Sequence, residues 1–313
     1  MRLQTNSHAT TVAALAIGVL SVSTSGALIA FAAAPALAIA FWRNAMALPV
    51  LLPAAVVGRR HELRALFGPA RREGMYCVLA GLALAGHFGT WVPSTKLTGV
   101  ATATALVATQ PVWVGLIAFG QGRRLPVWSW VGIGIAVAGA ALATGADVSG
   151  SGEALVGDLL ALAGGLAAAI YTSLGERARA TTSTTAYTAV CYTVCGLVLL
   201  AICLIGRIPL SGYPATTWVA LVALTVGPQL LGHSLFNFSL RRVSATTVSV
   251  VILLEVPGAA LIAWAWLGQV PRPAALPGLA LLLVGVAIVV VAARRPRGAR
   301  VLEEPEAGVI SPG

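Results

Sequence analysis

Ten apolar stretches run along the chain, separated by short turns in which arginine, glycine and proline concentrate. They fall near 9–31, 35–57, 74–94, 99–120, 127–145, 156–175, 184–206, 216–238, 244–267 and 274–293. Apolar runs of about 17–25 residues are long enough to cross a bilayer as helices. The pattern therefore predicts an all-α membrane protein of ten transmembrane helices.

The loops test this segmentation. With the N-terminus on the cytoplasmic side, sixteen of the 20 basic residues fall in cytoplasmic segments: Arg2; Arg59, Arg60, Arg64, Arg71 and Arg72; Arg123 and Arg124; Arg177 and Arg179; Arg241 and Arg242; and Arg294, Arg295, Arg297 and Arg300. External loops hold Lys96, Arg207 and Arg272, and Arg43 lies inside a span. Basic residues favour the cytoplasmic side, and one helix more or fewer would put basic runs on both sides. The expectation is a multi-pass protein of the cell membrane with both termini in the cytoplasm.

Composition agrees. The 313 residues are 58% hydrophobic and 10% charged, with a mean hydropathy of +0.89, where soluble domains carry about a quarter charged residues. The formal charge of +10 sits in short runs between apolar stretches and gathers on no one face, so no nucleic-acid partner is expected. Cys77, Cys191, Cys195 and Cys203 lie within apolar stretches without metal-ligand or disulfide spacing, and read as packing residues. No metal and no cofactor is expected. The tail from Arg294 is basic, then acidic at Glu303, Glu304 and Glu306, and reads as a disordered cytoplasmic end over 294–313.

A shift of 146 residues lays the chain on itself: Gly86-His87 on Gly232-His233, Pro111 on Pro257, Gly132 on Gly278, Gly139 on Gly285 and Thr98 on Ser244. Ala14-Leu15-Ala16 meets Ala161-Leu162-Ala163 at one residue more. The repeats are 1–146 and 147–293. Five spans is an odd number, so the second copy is inverted relative to the first. Such repeats are frequent in secondary transporters, with the substrate site near the midplane between halves. Thr10 to Ala38 resembles a signal peptide, an apolar run followed by small residues around Ala36-Leu37-Ala38, but the counterpart of the first span in the second repeat argues against cleavage.

The ends of both halves carry a family resemblance. Gly99-Val100-Ala101 leads through Gln110-Pro111-Val112 to Arg124-Leu125-Pro126 and the helix from Gly132 to Gly139. Ala245-Thr246-Thr247 leads through Leu254-Glu255-Val256-Pro257 to Leu267-Gly268 and the helix from Gly278 to Gly285, and Phe41-Trp42-Arg43 lies in the second span. With the tandem repeat, these resemble the EamA-type branch of the drug/metabolite transporter superfamily. The resemblance implies a transporter, not an enzyme, that exports an amino acid, a nucleoside-like compound, a drug or another metabolite.

Candidate chemistry follows from what lipid makes costly. Arg43 and Glu255 are the two charges well inside spans, and such charges need a partner or an aqueous cavity. Arg43 lies about 12 Å from the external end of its helix and Glu255 about 17 Å from the cytoplasmic end of its own. Both then sit slightly external to the midplane of a core about 30 Å thick. Together they could hold a zwitterionic or polar solute; the competing reading is a structural ion pair, or Arg43 snorkelling outward. His87 and His233 are candidate proton carriers with Glu255, against a role in helix packing. Trp91, Gln110, Tyr187 and Asn237 are candidate substrate contacts, among further mid-span polar groups that include Ser21, Ser23, Thr24, Ser25, Thr109, Tyr171, Thr172, Tyr192 and Gln229. Pro111 and Pro257 each free a helix carbonyl and suit a gate. Gly132, Gly134, Gly139, Gly278 and Gly285 read as packing positions.

The chain lacks a nucleotide-binding phosphate loop and a metalloprotease helix motif. The expected function is a secondary transporter of a small polar or amphipathic metabolite, monomeric or homodimeric, with membrane lipid as its other partner. The alternative is a lipid-carrier flippase or a non-transporting scaffold subunit. A flippase should show a lateral opening, and a solute transporter a closed-sided polar cavity.

Overall fold

The computed structural model describes residues 2–98, 100–144, 152–267 and 273–294. Gly99, Gly268, Arg272 and the tail from residue 295 onward, with its arginines and glutamates, lie outside the described residues.

Nine of the described helices are long and apolar enough to cross a membrane, and a shorter apolar one completes ten. In chain order they are α1 (Ala9–Phe31), α2 (Ala36–Gly58), α3 (Arg71–Leu97), α4 (Thr102–Gly120), α5 (Val127–Ala143), α6 (Gly152–Arg179), α7 (Thr184–Ile205), α8 (Ala215–Ser239), α9 (Ala245–Ile262) and α10 (Leu276–Ala293). The ten expected spans are all present, with ends displaced by a few residues. One element was not expected: a short helix, Arg60–Leu66, lies in the arginine-rich loop between α2 and α3.

Several helices are broken. α1 is interrupted at Ser23–Thr24, α2 at Met46–Ala47, α4 at Ala108–Thr109 and α9 at Leu253–Leu254. Pro111 and Pro257 stand just after the last two breaks, in the first turn of the resumed helix, where a missing N–H costs little. α8 contains a π-helical segment, Thr225–His233, that encloses Pro228. Such widened turns in helices occur often at functional sites.

The helix pairs obey an exchange symmetry. α5 packs on α10, α4 on α9 and α2 on α7, each with its own repeat partner, while α3 packs on α6 as α8 does on α1. Individual contacts map in the same way. Gly164 of α6 lies against Thr90 of α3, and 146 residues earlier Gly18 of α1 lies against Phe236 of α8, the repeat equivalent of Thr90. Gly132 opposes Gly285 across α5 and α10, and its counterpart Gly278 opposes Gly139. This is the two-fold relation of inverted repeats.

At the α5–α10 crossing there is no room for side chains. A Cβ on Gly139 would come within 2.3 Å of the Leu282 backbone nitrogen, and one on Gly285 within 2.4 Å of that of Ala136. In lipid, where apolar surface gains little by leaving its solvent, such close approach is what drives helix association. Gly134 does not belong to this face, contrary to expectation: a Cβ there meets nothing within 4 Å. The four cysteines are buried thiols, and the surface around the helices is apolar, as at Val57, Leu204, Ile205 and Val219. Gly139→Leu should therefore destabilise the purified protein by the cost of overpacking, about 1–3 kcal/mol, read as a lower thermal unfolding midpoint. Gly134→Leu should leave it nearly unchanged, and equal losses in both variants would refute the crossing.

Candidate functional site

Polar groups that chain alternation scattered over seven helices converge on one small cavity. Its volume is about 60 Å³, and Ser25, Arg43, His87, Trp91, Gln110, Tyr171, Thr172, His233, Asn237 and Glu255 line it among apolar side chains. It thus gathers Arg43, Trp91, Gln110, Asn237, Glu255, His87 and His233 from the candidate list. Tyr187 is not among the lining residues. It is fully buried, with its hydroxyl at the Cα side of Gly175. Pro111 and Pro257 also stand off the cavity wall, next to the breaks that bring Gln110 and Glu255 onto it.

Arg43 is 1% exposed. Its Nε donates to Gln229 Oε1 at 3.0 Å, an Nη reaches Ser25 Oγ at 3.5 Å, and the guanidinium lies 4.1 Å from the Phe88 ring centroid. Gln229 Nε2 in turn donates to Asn44 Oδ1 at 3.0 Å. Gln229 sits in the π-helical segment of α8, so this network ties α1, α2 and α3 of the first repeat to the widened turn of the second. No ion pair within 4.0 Å joins Arg43 to Glu255 among the described residues, although both face the same cavity. The snorkelling reading fails, because the guanidinium is enclosed.

The histidines are differently held. His87 Nδ1 lies 2.9 Å from the Gly164 carbonyl oxygen, which can only accept, so Nδ1 carries the proton in the neutral ring. The ring stacks on Trp91 with centroids 5.6 Å apart. His233 packs edge-on against Phe88 at 5.3 Å and near Tyr171 at 6.2 Å. Gln110 Nε2 donates to Thr172 Oγ1 at 3.0 Å, and the Tyr171 hydroxyl pairs with the Asn237 amide. Trp91 is 8% exposed and its Nε1 has no partner among the described residues.

A second, larger space opens beyond Glu255. It measures about 710 Å³ and is walled by the second half of α1 from Val22 to Phe31, by Val219, Ala220 and Ala223 of α8, and by Val256, Ala259 and Ile262 of α9. Val22, Ser25, Trp91 and Glu255 line both spaces and form the junction between them. Each wall belongs to the half of its helix remote from the arginine-rich loops. α1 and α9 touch at Ser23 and Gly258, next to the junction.

The arginine-rich end is closed. Arg179, 2% exposed, donates to the Asn237 carbonyl at 2.9 Å and to that of Thr182. Glu62 accepts from the Ser183 backbone N–H, and Arg123 pairs with Glu176 at 3.0 Å. Sequence reasoning counted Arg179 only as a loop charge; nothing in the pattern marked it as buried.

Ten helices in inverted repeats around a central cavity define a polytopic membrane transporter fold. The sequence model of the EamA-like transporter family matches residues 9–145 and 155–291. The chain belongs to that family, and is a membrane transporter of the drug/metabolite type. A solved crystal structure superposes on it with a TM-score of 0.75 and 22% identity, over 92% of this chain and 98% of the other, and shows the same fold. A comparison with curated proteins finds no match.

Gln229→Leu would strip the acceptor from a buried guanidinium. Hydrogen bonds to charged groups are worth about 1.5–3 kcal/mol, and a loss of that order is expected in the unfolding midpoint of the purified protein. Gln229→Glu, which restores an acceptor, should recover most of it. A Leu variant as stable as the parent would show that Arg43 does not depend on this network.

Proposed function

We propose that the chain is a secondary transporter that exports a small polar or amphipathic metabolite across the cytoplasmic membrane by alternating access of its two repeats. The arginine-rich end is the cytoplasmic one, by the preference of basic loops for that side. On that assignment the large chamber faces outward and the cytoplasmic end is shut. The observation that carries the reading is the asymmetry between equivalent helix pairs. α6 lies against both halves of α4, whereas its repeat equivalent α1 meets α9 more sparsely, at the Ser23–Gly258 contact and beside the open chamber. Exchange of these two arrangements between repeats closes the outside and opens the inside without new kinds of contact.

The polar groups at the cavity are the substrate contacts in this reading, and Glu255, His87 and His233 are the groups available to carry a coupled proton. The apolar chamber also favours a second reading, a lipid-carrier flippase, because exposed Phe31 and Val219 border its mouth. Translocation of a fluorescent phospholipid in proteoliposomes would favour that reading over the first.

Accessibility tests the end assignment. In whole cells, Ala27→Cys and Ala223→Cys should react with a membrane-impermeant maleimide, against a background of four buried native thiols. In inside-out vesicles Leu240→Cys, on the inner cavity near the closed end, should be protected. Reaction of Leu240→Cys alone would overturn the outward-facing assignment.

A further inference from the structure

The two joined spaces differ in charge. Among the residues lining the 710 Å³ chamber, Glu255 is the one that carries a formal charge; Arg43 lines the small inner cavity only. Three of the hydroxyls on the chamber wall are already engaged: Ser25 Oγ accepts from Arg43, and two others bond to their own helix. Ser23 Oγ donates to the Val19 carbonyl at 2.7 Å and Thr24 Oγ1 to that of Ser21 at 2.8 Å. The Glu255 carboxylate, by contrast, has no hydrogen bond and no ion pair within 4.0 Å among the described residues. A carboxylate at this depth is costly unless a counter-charge reaches it.

Arg43 faces the same inner cavity as Glu255 but makes no ion pair with it within 4.0 Å among the described residues. Its guanidinium is enclosed between Gln229, Ser25 and the Phe88 ring, and it contributes nothing to the chamber wall. Its positive charge lies past the junction, so it opposes a cation moving deeper, and with no close ion pair to Arg43 the Glu255 carboxylate can take a ligand cation from the chamber side. The uncommitted donor at the same junction is the buried Trp91 Nε1, which asks for an acceptor on the ligand. Apart from Thr104, the remaining wall is alanine, glycine, valine, leucine, isoleucine and phenylalanine, and a volume of about 710 Å³ lies within the range that encloses a drug-sized molecule.

We infer that the chamber takes an amphipathic organic cation: a protonated amine pairs with Glu255, an oxygen acceptor a few bonds away meets Trp91 Nε1, and an apolar body fills the space between α1, α8 and α9. This names the substrate class of the transport site proposed above, and rests on that reading for its meaning. It differs from the zwitterion expected when Arg43 and Glu255 share a ligand. A zwitterion would bring its carboxylate into a chamber whose one charged residue, among the described residues of the wall, is itself an acid.

The test is calorimetric titration of the full-length protein in nanodiscs with three probes of one skeleton. Phenylalaninol is a cation with a hydroxyl, phenylalanine is the zwitterion, and N-acetylphenylalaninol is neutral. Phenylalaninol should bind at least tenfold more tightly than either of the others. Glu255→Gln should abolish that preference. Ala223→Trp, which fills the chamber and leaves the carboxylate intact, should weaken phenylalaninol binding at least tenfold and serves if the Gln variant does not fold. Equal or tighter binding of phenylalanine, or an unchanged dissociation constant in both variants, overturns the inference, as does failure of all three probes to bind. Failure here leaves the thiol-accessibility pattern of the two ends intact, whereas failure of the transport reading reverses that pattern without altering the preference among probes.

Discussion

Burial of the Arg43 guanidinium constrains much of the rest of the molecule. Removing such a charge from water costs several kcal/mol after relaxation, and no carboxylate lies within 4.0 Å of it among the described residues. Neutral groups must do so, and they come from three other helices: Ser25 from α1, Phe88 from α3 and Gln229 from α8. Each arrives because its own helix departs from regularity or packs closely there. Ser25 begins the helical run after the α1 break, and Gln229 lies within the π-helical turn. Asn44, next to Arg43, satisfies the other end of the Gln229 amide. The four helices are thereby fixed around the cavity before any ligand arrives.

The inverted repeat supplies the frame, and departures from it supply the chemistry. His87 and His233 are equivalent positions, as are Trp91 and Asn237, so these cavity contacts come as pairs. The charges do not. The repeat equivalent of Arg43 is Ala189, and that of Glu255 is Thr109. A scaffold built to exchange two arrangements therefore carries one cation in the first half and one anion in the second. The exchange can be nearly balanced in backbone packing while ligand recognition stays tied to one carboxylate.

Much of this was legible in the sequence because lipid is a stringent solvent. Span length, arginine placement and the 146-residue register located the helices and their inversion, and the cost of polar groups at depth singled out Arg43, Glu255, Gln110 and Trp91. What the sequence withheld is which way a side chain points. On a soluble helix the apolar stripe reveals the buried face; here the lipid face is apolar too, so Tyr187 and Gly134 gave no sign of their orientation. The π-helical turn and the enclosure of Arg179 were hidden for a related reason. Both arise from contacts between helices far apart in the chain, and local residue pattern carries no record of them.

The two ends are held by interactions of unequal worth, which bears on how the proposed cycle could run. At the arginine-rich end the Arg123–Glu176 pair is partly exposed, and such pairs contribute about 0–1 kcal/mol. The two bonds from buried Arg179 are stronger, since each joins a charged donor to a backbone carbonyl. Asn237 is common to lock and cavity. Its carbonyl receives Arg179, while its side-chain amide pairs with the Tyr171 hydroxyl on the cavity wall. A ligand shifts a two-state equilibrium only by its differential affinity for the two states. A solute that displaces Tyr171 from Asn237 in one state alone acts directly on the residue that Arg179 holds, so occupancy of the cavity and closure of the far end share a single residue.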